Sequence, residues 1–266
     1  RKESKNMTHL DEENHTHSFK DLMAIITQLR RPDGCPWDKS QTHSSLRRNL
    51  LEECYEALDA LDRKDSLNLR EELGDILTQV AFHSSIAEDE NEFTTEEMFR
   101  QVSDKLIRRH PHVFGNGTAK DVKEVEENWQ TLKMKERGNS SILEGPPSNM
   151  PALAYSQTIS HRAARSGFEW SNIEGVLEKL QEELEELQRA KTAEEKEMEL
   201  GDVLFTIVNL ARWLEIDAES ALRQSMRKFI SRFSKMEILS KEMGAEFSSI
   251  PMENKQVLWN QVKSLE

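Results

Sequence analysis

Proline and glycine are scarce in this chain, seven and ten among 266 residues. So few turn formers exclude a strand-rich sandwich and favour long, uninterrupted helices. Cysteine is scarcer still. Cys35 and Cys54 form no CxxC and no framework, which excludes a disulfide scaffold and points to a reduced, cytoplasmic setting. No run of about 18 apolar residues occurs, so no membrane-spanning helix is expected. Positive charge is short, with 36 Lys and Arg against 49 Asp and Glu, a net of −13. That balance excludes a general nucleic-acid or anionic-membrane binder. Nucleotides are not excluded, because a bound cation inverts the local field. No glycine-rich phosphate loop is present, which excludes a P-loop enzyme.

What remains is leucine-rich and highly charged, as in an all-α protein. Residues 1–17 are polar, lack a signal core and read as a disordered lead-in. Phe19 to Leu29 has helical spacing. Arg30 to Lys39, R-R-P-D-G-C-P-W-D-K, reads as a loop. Helices are expected over Leu46–Leu61 and Leu67–Ile86, then from Thr94 or Thr95 to Arg109, where His110-Pro111 stops the pattern. Another runs over Val122–Glu136. Residues 138–150 form a linker, and the helical pattern then restarts.

The restart is a repeat. Gly34 and Trp37 return as Gly167 and Trp170 at an offset of 133, Glu53 and Glu56 as Glu183 and Glu186 at 130, and Glu72 and Asp75 as Glu199 and Asp202 at 127. Lys105 and Arg109 return as Lys228 and Arg232 at 123, and Trp129 and Lys133 as Trp259 and Lys263 at 130. Order is preserved, and offsets change only across loops. Two homologous helical-bundle modules follow, residues 18–137 and 151–266.

Each module carries two carboxylate pairs three residues apart, and such pairs share one helix face. If the two helices of a module pack as an antiparallel hairpin, four acids converge beside an apolar stripe. In the second module that stripe is Val176, Leu177, Leu180, Leu184 and Leu187, facing Leu200, Val203, Leu204 and Ile207. Two like charges at ~4 Å repel by about 4 kcal/mol at an effective dielectric near 20. The cluster therefore takes up protons or holds a cation. All-oxygen ligation suits Mg²⁺, Mn²⁺ or Ca²⁺. The plainer alternative is a solvated acidic face in a Glu-rich chain; the duplication tells against it.

The cations complete the set. Lys228 and Arg232 share a helix face, and Arg can fork onto phosphate. Lys263 follows Trp259 by one turn, and an indole can stack on a base. Lys179 precedes Glu183 by one turn. Acids, a metal and cations beside an aromatic suit a nucleoside polyphosphate. Taken singly, Trp129 and Trp259 also fit a core, Lys228 and Arg232 an ordinary surface, and His110-Pro111-His112 a helix stop. Asp38 fits either a substrate contact or a helix cap.

The segments G-C-P-W-D-K, L-E-E-C-Y-E, E-E-L-G-D and R-R-H-P-H-V-F, with E-E-L-E-E and E-L-G-D-V-L-F in the second half, resemble the MazG family of nucleoside triphosphate pyrophosphohydrolases in its two-repeat form. The carboxylate pairs alone would indicate only the wider all-α NTP pyrophosphatase superfamily. The resemblance implies tandem helical modules, a homodimer and Mg²⁺-dependent hydrolysis of NTPs to NMP and pyrophosphate with broad base tolerance. It implies metal ligation by Glu183, Glu186, Glu199 and Asp202, and nucleotide contacts from Lys228, Arg232, Trp259 and Lys263. The first module keeps Glu53, Glu56, Glu72, Asp75, Lys105, Arg109, Trp129 and Lys133. The second module is preferred as catalytic, on the weak ground that its cations follow a compact hairpin. Alternatives are a narrow housecleaning pyrophosphatase and a non-catalytic nucleotide-sensing module. Because the first residue is Arg1, the chain also reads as the tail of a longer bifunctional polypeptide.

Overall fold

The computed structural model describes residues 18–137 and 141–265, so the lead-in expected over residues 1–17 lies outside the described residues. Among the described residues all regular structure is helical: α1 Phe19–Arg30, α2 Pro36–Lys39, α3 Arg47–Arg63, α4 Ser66–Asp89, α5 Thr95–Arg109, α6 Pro111–Phe114, α7 Val122–Arg137, α8 Ala152–Arg165, α9 Ile173–Arg189, α10 Ala193–Trp213, α11 Ala218–Glu242 and α12 Met252–Ser264, with one 3-10 turn at Phe247–Ser249. The chain divides into two compact units, Arg1–Lys133 and Met134–Glu266.

Local chemistry sets the boundaries. Thr94 and Glu97 form a capping box at α5, and Thr192 and Glu195 form one at α10. Asp65, Asn172 and Asp217 cap α4, α9 and α11 through their side chains. Two expectations change. The loop at Arg30–Lys39 contains the short helix α2, and the chain re-enters a helical turn at α6 after His110. In both cases Pro36 or Pro111 stands at the helix start, where its fixed φ is pre-set and its missing N–H costs nothing. Ahead of α2 the backbone comes very close to itself. A Cβ at Gly34 would lie 2.3 Å from the Leu29 carbonyl oxygen, so only glycine fits there.

In the first unit α3 and α4 form a hairpin, joined through Lys64 in the left-handed conformation at φ 57°. α1 packs on α4 through Ile26, Ala81, Phe82 and Ile86, and Leu46, just ahead of α3, joins the same core. In the second unit α9 and α10 form the hairpin, and α8 covers it. α11 packs on α12 through Met236, Leu258 and Val262.

The apolar stripe of the second hairpin behaves differently from the expectation. Val176 and Val203 are buried, but Leu177, Leu184, Leu200, Leu204 and Ile207 are between 37% and 48% exposed. A two-helix hairpin with one helix across it has a second broad face, and these leucines lie on it.

Candidate metal and triphosphate site

The acids run from buried to open: Glu183 is buried, Glu199 half-buried and Asp202 exposed. Glu183 is 6% exposed, against 37% for its neighbour Leu184. Glu183, from α9, and Glu199 and Asp202, from α10, each bring a carboxylate oxygen within 4.8 Å of the others. The first unit repeats this with Glu53 from α3 and Glu72 and Asp75 from α4. Glu186 and Glu56 stand just outside these sets. Glu56 shares a hydrogen bond with Glu72, and the charge of Glu186 bears on Glu199. The spacing therefore brings both quartets together, with three members tight and one adjacent.

Electrostatics follow from the geometry. Burial first, then the charges of Asp75, Glu56 and Glu52, raise the Glu53 pKa above its ordinary value. Burial and Glu56 do the same to Glu72. Glu199 is raised by burial and by Glu186, Asp202 and Glu183, and Lys179 opposes the rise. Carboxylates held in mutual repulsion, with an all-oxygen donor set, fit a hard divalent cation. Soft-metal ligands are missing from both sets.

The two clusters differ in one residue. Lys179 Nζ lies 2.9 Å from Glu183 and 2.8 Å from Glu182. Hydrogen bonds to Glu182 and Glu183 raise its pKa, so it stays an ammonium ion. The repeat places uncharged Asn49 at the matching position of the first unit, 130 residues earlier.

The other expected contacts sit on neighbouring helices. The Arg232 guanidinium lies 5.5 Å from the centre of the Trp259 ring, and Phe229 meets the same indole at 5.6 Å with its ring tilted by 45°. Trp259 also edges a cavity of about 450 Å³ lined by Phe229, Phe233, Phe247 and Lys255. Lys228 and Lys263 are exposed. In the first unit Lys105 and Arg109 lie half-buried on α5. Lys133 Nζ lies 6.0 Å from the Trp129 ring centre, and His110 faces that ring at 6.5 Å. The acids thus stand on the hairpins, while the later cations stand on α5, α7, α11 and α12.

Two features escaped the sequence reading. A groove of about 610 Å³ along α3 is lined by Arg48, Glu52, Tyr55, Glu56, Arg63 and Glu72. Positions 48, 52, 55, 56, 59 and 63 share one helix face, a signal that was legible. The second is a polar support under the other hairpin. Arg212 donates to Ser160 Oγ at 2.8 Å and to Glu169 at 2.8 Å, and the Trp213 indole donates to Glu169 at 2.9 Å. Burial works against ionising Glu169, but these donors and the Trp170 N–H outweigh it, and its pKa is lowered. Partners up to 52 residues apart meet here, and no local spacing announces them.

Comparison with known proteins agrees with this architecture. The model of the MazG nucleotide pyrophosphohydrolase domain matches twice, at residues 41–114 and 171–236. The chain is 46% identical to the nucleoside triphosphate pyrophosphohydrolase/pyrophosphatase MazG of Thermotoga maritima, covering 92% of this chain and 95% of that protein. It is 40% identical to the nucleoside triphosphate pyrophosphohydrolase of Escherichia coli K12, covering 92% and 97%. It is also 41% identical to the uncharacterized protein YabN of Bacillus subtilis, covering 94% of this chain and 52% of that protein. Matched in both repeats, and over nearly the full length of two relatives, the chain belongs to the MazG family of nucleotide pyrophosphohydrolases.

Proposed function

We propose that the chain hydrolyses nucleoside triphosphates to nucleoside monophosphate and pyrophosphate at the α9–α10 hairpin, with Mg²⁺ or Mn²⁺ as cofactor. The observation that carries this reading is the convergence of Glu183, Glu199 and Asp202 from two helices onto one point. Glu183, Glu199 and Asp202 would hold a divalent ion, which would offset triphosphate charge and lower the pKa of a bound water. Lys179, Lys228, Arg232 and Lys263 supply cations for the phosphates. Water attacks the α-phosphorus, the bond to the bridging oxygen breaks, and pyrophosphate leaves with the electron pair. Glu186, adjacent to the tight three, accepts the proton of the attacking water. Trp259 offers a ring face and no base-edge code, which supports broad tolerance of the base. Incubation with ATP and Mg²⁺ tests the reaction. AMP and pyrophosphate are expected in equal amounts; ADP and phosphate would reject it.

The ion should also stabilise the fold. Glu53, Glu72 and Glu199 have folded-state pKa values above the ordinary 4.5. The metal-free fold therefore binds more protons than the unfolded chain, and these groups cost stability as pH rises from 4.5 through the raised values. A metal ion replaces those protons. The Tm in millimolar Mg²⁺ should exceed that in EDTA, by more at neutral than at mildly acidic pH. Thermal melts at both pH values check the sign.

A homodimer completes the reading. Leu177, Leu184, Leu200, Leu204 and Ile207 leave a continuous apolar band on the hairpin, and Leu73 and Leu77 are half-exposed on the matching helix of the first unit. Such a band marks an association surface, and a second copy buries the same face on itself. Leu204→Glu should halve the mass measured by light scattering. A variant of unchanged mass would reject this face.

A further inference from the structure

Apart from both acid clusters, a third set of ligand atoms gathers where α4 ends. His43, Glu90 and Glu92 each bring one ligand atom within 4.8 Å of the others. The turn beyond α4 passes through Asn91 in the left-handed conformation, φ 57°, and this directs both glutamates to one side. Nearby carboxylates are already engaged: Asp89 by Arg30 at 2.8 Å and Glu88 by the Thr95 N–H at 2.8 Å. Among the described residues, Glu92 meets one cationic candidate, His43, and Glu90 forms no ion pair. The carbonyl end of α4 adds a negative field.

The histidine is oriented for this. His43 Nδ1 lies 2.7 Å from His83 Nδ1, and the two rings stack with planes 2° apart. One proton must lie between two nitrogens at that distance. In the tautomer with that proton on His43 Nδ1 and His83 accepting it, His43 Nε2 carries a lone pair on the side of the glutamates. That Nε2 is buried, makes no hydrogen bond and lies 3.4 Å from Glu92 Oε2. Two ligands of one tetrahedral ion, each about 2.05 Å from it, stand about 3.35 Å apart.

We propose that His43 Nε2, Glu90 and Glu92 form a separate site for a divalent transition ion of the Zn²⁺ class, with His83 as the group that positions the His43 ring. The mixed nitrogen and oxygen donor set separates it from the all-oxygen hairpins, since Mg²⁺ avoids imidazole and Zn²⁺ accepts it. A metal-bound histidine is held by an acceptor on its far ring nitrogen, and His83 stands where a carboxylate, carbonyl or water commonly does. The ion ties the segment before α3 to the turn between α4 and α5.

Titration calorimetry of the full chain with Zn²⁺, in excess millimolar Mg²⁺ to fill the hairpins, tests the assignment. One Zn²⁺ per chain should bind and raise the Tm. Glu90→Gln, a surface change, should weaken binding about a hundredfold, and His83→Phe about tenfold. Glu199→Gln should leave this binding event untouched. Because His43→Gln can disturb folding, the ¹⁵N shift of His43 Nε2 in the unaltered protein gives a second readout, and it should move on adding Zn²⁺. No Zn²⁺ binding, binding abolished by Mg²⁺, or equal affinity in the Glu90 variant would overturn the proposal.

Discussion

Glu199→Gln should fold like the parent protein and lose at least about a hundredfold in turnover, as loss of one electrostatic contact at a reacting centre typically does. The substitution keeps shape and removes one negative charge from the three that converge. It also relieves the repulsion that raises the Glu199 pKa, so the variant should be no less stable without metal. Loss of activity with preserved or improved metal-free Tm separates a site role from a folding role. Full turnover by a correctly folded variant would remove Glu199 from the mechanism.

The second large effect concerns the two modules. Asp202→Asn should cost about as much as Glu199→Gln, at least ~10²-fold, while Asp75→Asn should leave most turnover in place. Both hairpins gather acids equally well, so acids alone do not choose. Cations distinguish them. Lys179 lies within reach of the second cluster at 2.9 Å, whereas the first has Asn49 at that position. The cation–indole pair does not choose, since Arg232 lies over Trp259 in the second unit and Lys133 over Trp129 in the first. In the first, the groove beside Glu72 contains Arg48 and Arg63, the latter held by Asp59 at 2.8 Å. Matched assays of the two variants decide the matter, and equal losses would reject the preference for the second module.

Much of this was legible before any coordinates. Thr94 with Glu97 announced the start of α5, and scarce glycine and proline announced helices throughout. The paired spacings of Glu183 with Glu186 and Glu199 with Asp202 placed the acids on shared faces, because 3.6 residues per turn is a local rule. Local rules also have limits. They read Leu184 and Leu204 as core, yet both are more exposed than Glu183. An apolar stripe records that a face is to be buried, not whether its cover comes from the same chain.

The residue order by itself determined the helices, the duplication and the pairing of acids along each helix, since these depend on neighbours within a few turns. Tertiary structure decided which way each hairpin faces, that Lys179 lies against Glu183, and that Ser160, Glu169 and Arg212 meet beneath it. It also brought His43 to Glu90 and Glu92. Contacts between residues dozens of positions apart depend on how whole helices pack, and packing is set by the summed shape of many side chains rather than by the spacing of a few.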